Sequence, residues 1–170
     1  TPCVPLSPYG ETKLAGEWLV RATGRATGLS TACLRYFNVA GAAIPELADV
    51  GVFNLIPMVF EKLTENAPPR IFGNDYATPD GTCVRDYIHV ADLAEAHLAV
   101  ARHLDGTPEG GDLTVNIGRG EGVSVRRLAE LVGEVTGLRT EPVVDPPRPG
   151  DAARAVASAD RMAGQRLVHD

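Results

Sequence analysis

Tyr9 and Lys13 are the pair of residues best suited to proton transfer in this sequence. They stand four positions apart in a segment with helical signals, and residues at that spacing share one face of a helix. A neighbouring ammonium favours the ionised form of a phenol, and such a phenol can take a proton from an alcohol and return it. By spacing alone the pair also fits a packed ring beside a solvated lysine, so both interpretations stay open.

Arg85 and Arg148 are two arginines whose side chains could bind an anionic group. A guanidinium binds phosphate oxygens bidentately. Each arginine taken alone also fits a surface ion pair, with Asp86 and Asp151 as sequence neighbours. The net charge of −6 and the lack of any lysine and arginine run argue against nucleic-acid binding. A diphosphate stays possible because it needs only a few placed arginines.

The elements that position these residues alternate between helices and strands, which predicts an α/β fold. Ser7 and Pro8 form a helix start, and Gly24 and Gly28 are expected to end that helix. The predicted helices are Pro8 to about Thr23, with Leu14, Trp18 and Leu19 on its apolar side, about Asn54 to Glu65, Ala91 to about Leu104, and Ser124 to about Thr136. The predicted strands are Ser30 to Phe37, Arg70 to Phe72, Val84 to Val90, Leu113 to Ile117 and Thr140 to Val144.

Two patterns that could indicate other chemistry are weak. Gly118-x-Gly120-x-Gly122 follows a strand, but its spacing is wrong for a dinucleotide fingerprint, so we interpret it as a turn. The histidines have no metal-ligand spacing, and no metal site is predicted. The sequence has three separated cysteines and no C-x-x-C pair, which is typical of a reducing compartment. It also shows no signal peptide and no apolar stretch of membrane length. These features predict a cytoplasmic protein without a membrane partner.

The motifs around the candidate residues resemble those of the UDP-glucose 4-epimerases, a family of NAD-dependent extended short-chain dehydrogenase/reductases. These motifs are SPYG-x-x-K at 7–13, RYFN at 35–38, GNDY-x-T-x-DGT-x-VRDYIHV at 73–90, NIG at 116–118 and RPGD at 148–151. The resemblance covers nearly the whole chain. The long central motif is specific, because the related dehydratases and decarboxylases have a shorter loop at this place.

The resemblance implies a role for each matching residue. Tyr9 would be the catalytic base and acid at the sugar 4-hydroxyl, and Lys13 would hold the nicotinamide ribose beside it. Phe37 would pack beside the nicotinamide. The implied UDP-sugar residues are Asn38, Asn54 and Leu55 around the ligand, Arg70, Ile71 and Phe72 along the uracil, Arg85 and Arg148 at the diphosphate, and Asp151 at the uridine ribose.

The implied activity is the interconversion of UDP-glucose and UDP-galactose, with NAD taking and returning a hydride at sugar C4. Three alternatives stay open: a UDP-pentose 4-epimerase, a UDP-N-acetylhexosamine 4-epimerase, and a non-catalytic UDP-sugar-binding or regulatory protein that kept the fold. Ala155 bears on the second alternative. Some family members carry a large aromatic residue there, and a small residue predicts room for an N-acetyl group.

The resemblance also implies a domain organisation and an assembly. Residues 1–40 would end an NAD-binding Rossmann domain, and residues 41–170 would form mainly the UDP-sugar-binding region, interleaved with the last Rossmann strands and helices. The glycine-rich NAD loop and the serine or threonine partner of the catalytic tyrosine are expected upstream, in a homodimeric protein roughly twice as long. The 170 residues alone are therefore expected to lack epimerase activity.

Overall fold

The computed structural model describes residues 3–5, 7–49, 51, 54–138 and 141–158. Its helices are α1 (Pro8–Thr27), α2 (Leu55–Thr64), α3 (Val90–Asp105) and α4 (Val125–Thr136), with a 3-10 helix at Pro45–Leu47. Its strands are β1 (Thr31–Tyr36), β2 (Asn38–Ala40), β3 (Arg70–Phe72), β4 (Val84–His89), β5 (Asp112–Ile117), β6 (Gly122–Ser124), β7 (Val143–Asp145) and β8 (Arg154–Ala155). The α/β class is confirmed.

The chain divides into two compact units. The first unit comprises Thr1–Tyr36, Asp92–Ile117 and Ser158–Asp170, and the second comprises Phe37–Ala91 and Gly118–Ala157. In the first unit β1 and β5 pair in parallel along their whole length. Helix α1 is tied to β1 by the guanidinium of Arg35, which donates two hydrogen bonds of 2.8 and 2.7 Å to the Glu17 carboxylate. This fork fixes the helix that carries the candidate proton-transfer pair.

Strand β4 is the centre of the second unit. It pairs in parallel with β2 and β8 and antiparallel with β6, while β3 and β7 form a separate parallel pair. Helices α2 and α4 bury Val59, Leu63 and Val132 in one apolar cluster, against which Leu55 packs. The alignment of Leu55, Val59 and Leu63 on one helix face is as predicted from their spacing.

Several boundaries differ from the sequence predictions. Helix α1 continues through Gly24 to Thr27, and Gly28, with a φ of 76°, caps it instead. Trp18 and Leu19, on its predicted apolar side, are 59% and 68% exposed. The short strands β2 and β6 were not predicted, and β7 begins later than expected. Residue 140 of the predicted Thr140 to Val144 strand lies outside the described residues.

The Asp80 carboxylate closes the loop between β3 and β4, and its loss is expected to cost stability in a pH-dependent way. It accepts hydrogen bonds from the Thr82 backbone N–H at 2.9 Å, the Thr82 hydroxyl at 2.8 Å and the Ser124 hydroxyl. Burial raises the pKa of Asp80, but the hydrogen bonds from Ser124 and Thr82 outweigh burial and leave that pKa below its usual value. Its stabilisation is therefore complete above the unfolded pKa and is lost as pH falls through the folded pKa.

We expect Asp80→Asn to lower the free energy of unfolding by about 1 to 3 kcal/mol near neutral pH. Urea unfolding of the full-length gene product at neutral pH and at about pH 3.5 tests this, because the difference from wild type must shrink in acid. Asp75→Asn, in the same loop but exposed, is the matched control and should change little. A difference that stays constant or grows in acid would contradict the assignment.

Candidate functional site

A cavity of about 250 Å³ in the second unit collects most of the predicted substrate residues. Its lining includes Asn38, Asn54, Leu55, Arg70, Phe72, Arg85, Arg148 and Asp151. Ile71 is the exception, because it is 1% exposed and belongs to the core. Successive strand residues face opposite sides, so the two neighbours of Ile71 in β3 reach the cavity while Ile71 itself does not. We call this space the cationic cavity.

Arg85 is held in place by its own strand and by the segment before β8. Its Nη1 donates hydrogen bonds to the backbone carbonyls of Ala152 at 2.7 Å and Val84 at 3.0 Å. Its Nη2 lies 3.4 Å from Oδ1 of Asp151, and the arginine side chain is only 16% exposed. Arg85 is thus a preorganised cation, and its contact with Asp151 links the positions of the two side chains.

The guanidinium of Arg148 lies over an aromatic ring. Its guanidinium carbon is 3.7 Å from the ring centroid of Phe72, within the range of a cation–π contact. Arg148 and Phe72 therefore present a planar cation and a planar ring at one point of the cationic cavity. These are the surfaces that a phosphate and a nucleobase require.

The lining of the cationic cavity carries four basic side chains and one acidic one. The basic residues are Lys62, Arg70, Arg85 and Arg148, and the acid is Asp151. Lys62 and Arg70 also contact acids outside the lining, Glu65 at 2.7 Å and Asp145 at 2.9 Å. An excess of cations in a concave site favours an anionic ligand.

Lys62 and Tyr87 also line the cationic cavity, although no role was predicted for them from the sequence. Lys62 lies one helical turn after Met58, which also lines the cationic cavity, so the helical periodicity of α2 was the available signal. Tyr87 lies two residues after Arg85 in β4, on the same strand face. Burial raises the pKa of Tyr87 to about 12, so its phenol stays neutral beside an anion.

A second space in this unit, of about 480 Å³, shares part of this lining. Asn38, Asn54, Leu55 and Tyr87 line both spaces. The Asn54 amide donates a 2.8 Å hydrogen bond to the carboxylate of Asp49, which orients it. Phe37, the residue predicted to pack beside the nicotinamide, is half-buried just before β2.

Tyr9 and Lys13 lie in the first unit, near the start of α1. The Ser7 hydroxyl accepts a 3.1 Å hydrogen bond from the Gly10 N–H and fixes the helix start, as its N-cap signature predicts. Tyr9 is 72% exposed, and the Lys13 ammonium lies 5.2 Å from the centroid of its ring. The two line a groove of about 610 Å³ together with residues of β1. The interpretation of Tyr9 as a packed core ring is therefore wrong for this unit.

Gly118 to Glu121 bends between β5 and β6, and Gly122 is the first residue of β6, which agrees with the interpretation of this segment as a turn. Gly120 has a φ of 75°, a conformation that glycine adopts without steric cost. Among the described residues, no group of three or more His, Cys, Asp or Glu side chains is placed to hold a metal ion. None of the helices in the described ranges is both long and apolar enough to cross a membrane.

Comparison with known proteins places the chain in a family. The model of the NAD dependent epimerase/dehydratase family matches residues 1–118. The chain belongs to this family. Among curated members, the UDP-glucose 4-epimerase of Azospirillum brasilense is 45% identical over 168 residues, covering 96% of this chain and 48% of that protein. The corresponding protein of Halalkalibacterium halodurans is 41% identical over 170 residues, covering 94% and 48%.

Solved structures of epimerases also match this chain. The UDP-glucose 4-epimerase from Stenotrophomonas maltophila, with bound NAD and formylated UDP-arabinopyranose, matches with a TM-score of 0.85 at 36% identity over 95% of this chain. The Bifidobacterium longum enzyme in complex with NAD+ and UDP matches with a TM-score of 0.84 at 35% identity. In both cases the match covers 49% of the other chain. The chain thus spans about half the length of the relatives it matches.

Proposed function

We propose that this chain is part of an NAD-dependent UDP-sugar 4-epimerase that interconverts UDP-glucose and UDP-galactose. The observation that carries the proposal is the cationic cavity, in which two arginines, a carboxylate and an aromatic ring meet. This set of groups matches a uridine diphosphate group by group. The relatives of this chain in the epimerase/dehydratase family support the same substrate class.

In this proposal the cationic cavity binds the UDP moiety. Arg85 and Arg148 hold the diphosphate, since guanidinium forks pair with phosphate oxygens. Asp151 accepts hydrogen bonds from the uridine ribose, and the uracil lies along Phe72 and the backbone of Arg70 and Ile71. Asn38, Asn54 and Leu55 line the remaining part of the ligand. Binding energy at this remote nucleotide orients the sugar for reaction.

Tyr9 and Lys13 supply the proton transfer. The exposed phenol takes the proton of the sugar 4-hydroxyl and returns it to the opposite epimer, while the adjacent ammonium stabilises the charge that develops on the phenol oxygen. The pair also fits a nicotinamide ribose, because an ammonium donates hydrogen bonds to hydroxyl oxygens. Phe37 packs beside the nicotinamide ring. NAD, when bound, supplies the hydride acceptor and donor at sugar C4.

The proposal extends to the organisation of the protein. Residues 1–40 end the NAD-binding domain, and residues 41–170 form mainly the UDP-sugar-binding region, interleaved with the last Rossmann strands and helices. The exposed Trp18 and Leu19 on α1 support a homodimer formed through this helix. The three free cysteines of the chain fit a reducing, cytoplasmic location.

Assay of the full-length gene product with UDP-glucose tests the function. Formation of UDP-galactose, without net reduction of added NAD, is the expected result. UDP binding without turnover would favour the non-catalytic UDP-sugar-binding alternative, and binding of neither UDP nor NAD would overturn the proposal. The 170 residues expressed alone are expected to give no turnover.

Ala155 supports a second substrate class. It is a small, half-buried residue in β8, and its register partner in β4 is Arg85, which lines the cationic cavity. We expect the full-length gene product to epimerise UDP-N-acetylglucosamine as well as UDP-glucose. Ala155→Tyr should suppress the N-acetyl activity selectively, while Ala155→Gly, its small counterpart, should keep it. Absence of N-acetyl turnover by wild type would contradict this extension.

A further inference from the structure

Asp86 is the most completely buried acid among the described residues, with no exposed surface. Its Oδ1 accepts a hydrogen bond from the Arg119 N–H at 3.0 Å. Its Oδ2 accepts from the Gly120 N–H at 2.9 Å and the Ala157 N–H at 3.1 Å. Successive backbone N–H groups that converge in this way form an anion-binding nest. Here the anion is a side chain of the protein itself.

The turn that supplies two of these donors is closely packed at Gly118. A Cβ on Gly118 would lie 2.7 Å from Oδ2 of Asp86 and 2.6 Å from Cβ of Ala157. Gly118 therefore lets the turn, the carboxylate and the segment after β8 approach each other closely. The three meet at one junction on the buried face of β4.

The opposite face of β4 belongs to the cationic cavity. Arg85 precedes Asp86 in the strand, and alternation turns the two side chains to opposite sides. Arg85 holds residues 151–157 at one end through Asp151 and the Ala152 carbonyl. Asp86 holds the same segment at its other end through the Ala157 N–H. Adjacent residues of one strand thus fix both ends of the segment that carries Asp151.

We propose that Asp86 is a positioning residue for nucleotide binding, acting through residues 151–157, which it anchors behind the cationic cavity. This inference rests on the proposed function, since the ligand that benefits is the UDP moiety. Asp86 does not line the cationic cavity, so a nucleotide bound there would not touch it. Its effect reaches the ligand through Asp151, which shares a segment with Ala157.

Asp86→Asn in the full-length gene product tests the inference. An amide has one acceptor oxygen, so in either orientation its NH2 faces a buried backbone N–H. The closely packed junction of Asp86, the 118–120 turn and Ala157 must then widen. We expect the Kd for UDP, measured by titration calorimetry, to rise about tenfold, the effect of one lost hydrogen bond to a charged group. Asp105→Asn, an exposed aspartate at the end of α3, is the matched control and should leave the Kd unchanged.

A double-mutant cycle separates positioning from general damage. If Asp86 acts through Asp151, adding Asp86→Asn to Asp151→Asn should raise the Kd by less than about twofold, because coupled residues are non-additive. Fully multiplicative effects, or an unchanged Kd in the single variant, would overturn the inference while leaving the proposed function intact. Failure of wild type to bind UDP would instead overturn both.

Gly118→Ala provides a second route if Asp86→Asn does not fold. It keeps the carboxylate and all three donors but crowds the same junction. The same rise in Kd, and the same lack of a further effect in the Asp151→Asn background, are expected. A folded Gly118→Ala variant with wild-type affinity for UDP would overturn the inference.

Discussion

Replacing Tyr9 with phenylalanine in the full-length gene product is expected to lower kcat for UDP-glucose by about two to four orders of magnitude. The substitution removes the hydroxyl that exchanges the proton with the sugar but keeps the ring beside Lys13. Because Tyr9 is largely exposed, the fold should not depend on its hydroxyl. Thermal unfolding and the Kd for UDP should therefore match wild type while turnover collapses.

Tyr36→Phe is the matched control for this prediction. Tyr36 lines the same groove, is also exposed, and loses the same hydroxyl. Its variant should keep turnover within about twofold of wild type, since no proton transfer is assigned to it. Lys13→Met should lower kcat as well, and the double variant with Tyr9→Phe should lose little more than the worse single one, because the pair acts as a unit. Near-normal turnover by Tyr9→Phe would refute the assignment.

Replacing Arg85 with methionine is expected to raise the Kd for UDP by about 10- to 100-fold, the effect of losing charge-assisted hydrogen bonds to a phosphate. The Kd of Arg85→Lys for UDP should lie between those of Arg85→Met and wild type, because an ammonium keeps the charge but loses the bidentate fork. Titration calorimetry measures the Kd of each variant for UDP and for uridine. Uridine lacks the diphosphate, so its affinity should change much less.

Arg127→Met is the control for the arginine variants. Arg127 is exposed on α4, bridges Glu130 and Glu134 at the helix surface and does not line the cationic cavity. Its loss should leave both affinities unchanged. Equal weakening of UDP and uridine binding by Arg85→Met would mean that Arg85 shapes the cationic cavity and does not bind the diphosphate.

Elements with local signals were predictable. Ser124 caps α4 with its hydroxyl on the Arg127 N–H, and Arg70 to Phe72 forms the strand that its residue types indicate. The course of α1 was not predictable in the same way. Gly24 lies inside the helix, and the position requires glycine because Thr31 and Leu29 leave no space for a Cβ. No helix-stop rule contains such a contact between segments. The short strands β2 and β6 likewise depend on pairing with the distant β4.

The candidate site, too, was predictable from the sequence only in part. Motif resemblance identified eight of the residues that line the cationic cavity, but the core position of Ile71 became clear only from the pairing and burial of β3. Asp86 was visible in the sequence only as a neighbour of Arg85. Its environment consists of backbone N–H groups from residues 119, 120 and 157. Backbone donors have no residue type, so a sequence pattern cannot reveal such a site.

The stacking of Arg148 on Phe72 has a thermodynamic consequence for the proposed ligand. A uracil that uses this face of the ring must displace the guanidinium, so one planar contact replaces another and the net gain from the base is small. The displaced guanidinium becomes available to the diphosphate, whose charge can more than compensate the lost contact. Free uracil should therefore compete poorly with UDP, and selectivity should depend on the base and the phosphates arriving on one molecule.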